Sequence, residues 1–144
     1  MRSQIILDEY TGKTYVLVFD TGDEVLTELL RFAVEANLTD ARFSAIGAFR
    51  DVILGYFDPE QKQYLRNPVR EQVEVLSLLG NVATHEGRPQ VHAHVVVGKR
   101  DGTAHGGHLV EAHVRPTLEV MLTESPRHLQ RRYDPETGLA LIRL

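Results

Sequence analysis

From Ala41 to Glu124 the apolar residues of this chain tend to return at every second position, through ARFSAIGAF, RDVILGYFD, QYLRNPV, QVEVLSLLGNVA, VHAHVVVGKRDGTAHGGHL and HVRPTLEVMLTE. A period of two is that of a β-strand with one face buried, because successive side chains point to opposite sides of a sheet. Turn-forming residues punctuate the runs at Asp58-Pro59, Asn67-Pro68, Gly87-Arg88-Pro89, Asp101-Gly102 and Ser125-Pro126. Strands joined by connections this short pair antiparallel. Most of the chain is therefore expected to be antiparallel sheet.

The first forty residues read differently. Thr14 to Phe19 (TYVLVF) is a short β-branched and aromatic strand. Thr21 with Glu24 matches a capping box, and Val25, Leu26, Leu29, Leu30 and Ala33 then recur at helical spacing until Asn37 offers a stop. This is the one long helix the sequence predicts. At the other end, Leu139 to Leu144 (LALIRL) suits an edge strand or a subunit boundary. The expected fold class is α+β, an antiparallel β-sheet with one main α-helix, in a single domain spanning residues 1–144. One helix is little cover for six or more strands, which gives the chain a physical motive to self-associate.

Composition removes several classes of function. With no cysteine there is neither a disulfide framework nor a thiolate metal site, so a metal has to be held by imidazole or carboxylate. The start, MRSQIILDEYTGKTY, carries only three consecutive apolar residues before Asp8, too few for a signal peptide or a membrane span, and a cytoplasmic location is expected. The formal net charge is −4 and no lysine or arginine cluster exceeds two neighbours, so no electrostatic footprint for DNA is visible. Gly87, Arg88 and Pro89 spell the core of an AT-hook, but Glu86 and Gln90 flank them and the segment reads as a turn. No nucleophile elbow surrounds Ser3, Ser44, Ser77 or Ser125, and GKRDGT lacks the order of a P-loop.

Four of the seven histidines fall between Val91 and Leu109. On a strand His92 and His94 share a face, with Ala93 and Val95 on the other. Two imidazoles side by side suit a first-row metal ion if a neighbouring strand supplies a third, leaving one coordination position open. His108 and His105 are the candidates. A two-residue turn at Asp101-Gly102 would oppose residues whose numbers sum to about 203 and would put His108 on the wrong face. A bulge at Gly106-Gly107, or a three- or five-residue loop around Asp101, would rotate His108 onto the face of His92 and His94; without either, His105 is the better third ligand. Zinc suits such a site, as do nickel, cobalt and iron. His85, His113 and His128 have no partner at useful spacing and read as solvated or hydrogen-bonded side chains. For an enzyme, Arg50, Asp51 and Glu119 are candidate polar partners, with Arg50 and Glu119 the candidate substrate-binding residues and Glu119 equally suited to an interchain ion pair.

These segments, in the order GAF (Gly47 to Phe49), LSLLGNVA (Leu76 to Ala83), VHAHVVVGKRDGTAHGGHL (Val91 to Leu109) and PTLEVMLTE (Pro116 to Glu124), resemble the plants and prokaryotes conserved (PPC) domain over nearly the whole chain. In plants that domain follows AT-hooks in nuclear DNA-binding proteins; stand-alone prokaryotic members are homotrimers, and this chain resembles the stand-alone kind. The HxH strand followed by GGH is also similar to acetolactate decarboxylase, whose three histidines hold zinc. That resemblance implies His92, His94 and His108 as ligands and a metal-dependent lyase as the alternative to a binding role. The decarboxylase's glutamate has no counterpart after Gly47, where Gly55 falls instead.

Overall fold

In the computed structural model, which describes residues 1–10, 12–125 and 129–143, the alternating runs do become strands, but several have merged. The elements are β1 (Arg2–Glu9), β2 (Gly12–Phe19), α1 (Val25–Glu35), β3 (Asp40–Asp58), β4 (Gln63–Val69), β5 (Val73–His85), β6 (Arg88–Gly98), β7 (Ala104–Glu124), β8 (Gln130–Asp134) and β9 (Leu139–Arg143). The two runs on either side of Arg50 form one strand, β3. The quoted histidine stretch continues through Pro116 as β7.

Strands of 19 and 21 residues stay in one body because they bend. Their mutual register slips between Gly47 and Phe49, between Phe49 and Asp51, and between Ile53 and Leu54. Each slip adds residues on one side and turns the ladder. Gly47 sits at the first of them with φ +149, where an added Cβ would lie 2.3 Å from the Thr117 carbonyl oxygen. No larger residue fits there without displacing backbone.

Two local expectations are corrected. Asn67-Pro68 is not a turn; Pro68 lies inside β4 opposite Ile53, and it is tolerated because, among the described residues, β4 pairs on one side only, with β3. Thr21 is not the helix cap. Its hydroxyl donates to the Pro116 carbonyl (3.0 Å), and Glu24 caps α1 instead, its carboxylate accepting from the Leu26 and Thr27 amides at 3.2 and 2.7 Å. The helix ends as its sequence implies. Asn37 takes φ 54, and the Asn37 and Leu38 amides close back onto the Val34 and Ala33 carbonyls, a Schellman ending.

The described strands form one sheet in the order β1-β2-β7-β3-β5-β8-β9, with β4 on β3 and β6 joining β5 to β7. The pairings β3–β5, β5–β6, β6–β7 and β7–β3 make a closed circuit. Not every pair is antiparallel: β8 runs parallel to β5, with Thr84 opposite Gln130 and His85 opposite Arg131. Helix α1 supplies Val25, Leu29, Phe32 and Ala33 to the core, where Phe32 meets Tyr15 edge-on at 5.1 Å. Burying Val25, Leu29 and Phe32 contributes about 1.5–3 kcal/mol each. Ala93, Val95 and Val97 of β6 belong to the same core, so the alternate residues of that strand look outward. That outward side keeps apolar surface as well: Ile46 is 62% and Leu79 60% exposed, with Leu76, Val96 and Met121 exposed beside them. No helix among the described residues is long and apolar enough to cross a membrane.

Candidate metal centre

Register decides which histidines meet. The β6–β7 connection is the five-residue segment Lys99 to Thr103, closed by the Lys99 amide on the Thr103 carbonyl and the Gly102 amide on the Lys99 carbonyl, both at 2.9 Å. Gly102 takes φ +82 there, and the Asp101 carboxylate accepts from the Thr103 amide and hydroxyl. An odd connection shifts the pairing by one from the two-residue case, so His94 stands opposite His108. The glycine pair carries no bulge: Gly106 and Gly107 pair regularly with Val96 and Val95. Gly107 is instead a point of close approach, since a Cβ on it would lie 2.8 Å from the Gly55 carbonyl of β3. His105 pairs with Val97, a residue of the helix-covered face, and is thereby removed from the candidates.

His92, His94 and His108 converge. Their ring centroids lie 5.1, 5.0 and 5.4 Å apart, and one ring nitrogen from each falls within 4.8 Å of the other two. His94 is exposed; His92 and His108 are half-buried. The His108 ring stacks on Tyr64 of β4 at 4.4 Å and 25°. Gly55 makes that stack possible, because a Cβ there would sit 2.9 Å from Tyr64 Cδ1 and 3.3 Å from His108 Cβ. Burial, with the charges of His92 and His94 adding to it, pushes His108 down to about 4. Burial, then Arg131 and His94, also lowers His92. Both imidazoles are thereby held in the neutral form a metal requires.

The residues present fit a divalent first-row ion. His108 Nδ1 is buried without a hydrogen-bond partner, so that ring nitrogen is not committed to any other group among the described residues. The donors are all imidazole, the set preferred by zinc and its neighbours over magnesium or calcium.

The other sequence-derived candidates lie elsewhere. Arg50 is exposed and its Nε donates to Asp51 (2.6 Å), whose second carboxylate oxygen meets His113 Nδ1 at 2.7 Å. Burial would raise Asp51, but hydrogen bonds from Arg50 and His113 outweigh it and hold the carboxyl below its ordinary range. This clamp lines a separate cleft with Val52, Pro68 and Arg70. Glu119 is exposed, opposite Ile46 and Val18 and eleven residues along β7 from His108. Neither Arg50 nor Glu119 joins the histidines. His85 Nδ1 lies 3.2 Å from the Arg131 carbonyl, and His128 lies outside the described residues.

Two neighbours of the site had no mark in the sequence. Tyr64 belongs to an unremarkable alternating strand. Arg131, on β8, donates to Asn81 Oδ1 (2.6 Å) and to the Ala140 carbonyl (3.0 Å), and it reaches the histidines only through the parallel pairing of β8 with β5.

A twisted antiparallel sheet with one helix and an HxH strand facing a GGH strand matches known proteins. The profile of the Plants and Prokaryotes Conserved (PCC) domain covers residues 8–126, and the chain belongs to that family. A PPC protein of Pyrococcus horikoshii is 36% identical, with a TM-score of 0.88 over 93% of each chain. A metal-containing protein of Archaeoglobus fulgidus is also 36% identical, with a TM-score of 0.85 over 96% of this chain and 99% of that one. A candidate DNA-binding protein of Bacteroides thetaiotaomicron is 26% identical, with a TM-score of 0.89 over 98% and 96%. Acetolactate decarboxylase of Bacillus subtilis shares the fold at 12% identity and a TM-score of 0.56, over 88% of this chain and 58% of the enzyme. Among curated proteins, the bifunctional protein GlmU of a Synechococcus species is 32% identical over 130 residues, 88% of this chain but 20% of that protein. The chain thus spans about a fifth of that relative.

Proposed function

We propose that this PPC-domain protein binds a divalent first-row metal, zinc in the simplest case, through His92, His94 and His108, and that it works as a homotrimer. The observation that carries the metal is the convergence of His92, His94 and His108, one ring nitrogen of each within 4.8 Å of the other two. The metal-containing relative at 36% identity supports it. When bound, an ion with three protein ligands leaves a position for water or a substrate oxygen, so the site supplies a Lewis acid. The chain's own part is to present the rings unprotonated: the stack on Tyr64 fixes the His108 plane, and burial keeps its nitrogen free for the ion.

Self-association is supported by the exposed apolar residues of the sheet's outer face. Met121, Ser44, Leu79 and His94 stand in one cross-strand row, with Ile46 and Val96 flanking it. A patch of this kind on an uncovered sheet marks an interface. The DNA binding for which the Bacteroides thetaiotaomicron protein is a candidate finds less support here, since the net charge is −4 and the pI about 6.0.

Metal analysis of the purified protein against a His92→Ala/His94→Ala double variant tests the reading. The expected result is about one equivalent of metal per chain in the first and background in the second. Equal metal in the two ends it.

A further inference from the structure

Beside the histidines lies a cleft of about 180 Å3 whose wall includes His92, His108, Tyr64, Gln90 and Arg131, with Leu139 to Leu141 of β9 closing one side. That is the volume of about six waters. Arg131 is the unusual member. It is only 8% exposed, no carboxylate lies among the residues of the cleft, and no ion pair is made to it among the described residues. Its two terminal nitrogens are taken by neutral acceptors, the Asn81 amide oxygen and the Ala140 carbonyl, while its Nε is buried with no partner. A guanidinium kept charged out of water with a donor to spare is strongly unfavourable unless an anion compensates it. Structural arginines of this kind are ordinarily paired with Asp or Glu. Among the described residues none takes that place.

We propose that the cleft binds a short aliphatic carboxylate, its carboxylate on Arg131 and its alkyl part against β9. Charge and shape select this class. The guanidinium calls for an anion and matches a planar carboxylate, the leucines of β9 favour a hydrocarbon tail over a fully hydrated phosphate, and a cleft of about 180 Å3 suits a short chain. The assignment goes beyond the metal reading and stands without it, since every group it uses belongs to the protein itself. With a metal on the adjacent histidines the same cleft would hold two cations side by side, which makes an anion between them still more favourable.

The test is nuclear magnetic resonance titration of the full chain, stripped of metal with EDTA so that the outcome is independent of the histidine site, with butyrate at constant ionic strength. The Arg131 guanidinium N–H resonance is the reporter and butyramide the uncharged control. The expected result is a saturable shift of that resonance with butyrate, at least about tenfold weaker response to butyramide, and about tenfold or greater loss of butyrate affinity in Arg131→Met. Arg131→Lys retains part of the affinity, and the wild-type resonance reads the contact even if the methionine variant does not fold. No saturable shift at tens of millimolar butyrate, equal response to butyramide, or undiminished binding in a folded Arg131→Met protein overturns the proposal.

Discussion

Gly80 ties the core to the histidine strand, and replacing it with alanine has a cost that can be worked from the structure. Gly80 of β5 lies opposite Phe43 on one side and Ala93 on the other. A Cβ there would fall 2.2 Å from Phe43 Cζ and 2.6 Å from the carbonyl oxygen of His92. The first contact forces a ring that is 4% exposed out of its place; the second pushes on the ladder that positions His92 and His94. Overpacking of this kind costs about 1–3 kcal/mol, and partial loss of Phe burial adds about 1 kcal/mol, so the expected penalty is about 3 kcal/mol. For a chain of 144 residues the unfolding entropy is about 0.3 kcal/mol/K, which converts the penalty to a Tm lowered by about 10 °C. Gly106→Ala is the matched control, since its nearest contact would be 3.3 Å from the Val95 carbonyl oxygen, and it is expected to shift Tm by less than about 3 °C. Phe43→Leu in the Gly80→Ala background recovers part of the loss, because the clash with the His92 carbonyl remains. Scanning calorimetry on the metal-free proteins reads all of these. A Gly80→Ala protein within about 2 °C of wild type would refute the reasoning.

Glu24→Ala removes the carboxylate that caps α1 and also accepts from the Ala112 amide, and is expected to cost about 1–2 kcal/mol in chemical denaturation, while Thr21→Val costs less than Glu24→Ala. His108 is expected to titrate at about 4 in the metal-free protein, readable from its ring resonances, against 6.5 for an unperturbed histidine. Because the unfolded chain takes up that proton first, this group makes metal-free stability fall as pH drops from 6.5 toward 4, and His108→Ala flattens that part of the profile; an unchanged slope contradicts the assignment. Leu79→Asp, in the middle of the exposed apolar row, is expected to shift sedimentation velocity from trimer to monomer with the fold intact, and a trimer that persists would place the interface elsewhere.

What the sequence made legible followed from periodicity, a local property. Alternation from Ala41 onward marked the sheet, and the i, i+2 spacing put His92 and His94 on one face before any strand pairing was known. The third histidine turned on the parity of one connection, so His108 was readable only as one branch of an argument; the five-residue loop selected it. Where contacts are long-range the local signals misled. Asn67-Pro68 has the chemistry of a turn, and the edge of β4 left unpaired among the described residues lets the proline remain in a strand. Thr21 has the chemistry of a cap, but a carbonyl 95 residues away claims its hydroxyl. Arg50, the sequence's candidate anchor for an anion, gives its Nε to Asp51 and lines a cleft apart from the histidines. The arginine that does line the histidine cleft comes from β8, through a parallel pairing that no local pattern announces.

The metal centre is tested most directly by anomalous scattering at the zinc edge from crystals of the wild-type protein grown with zinc. The account predicts one strong peak per chain, within about 2.0–2.1 Å of a ring nitrogen from each of His92, His94 and His108. A peak held by other residues, or none at these three rings, would contradict it.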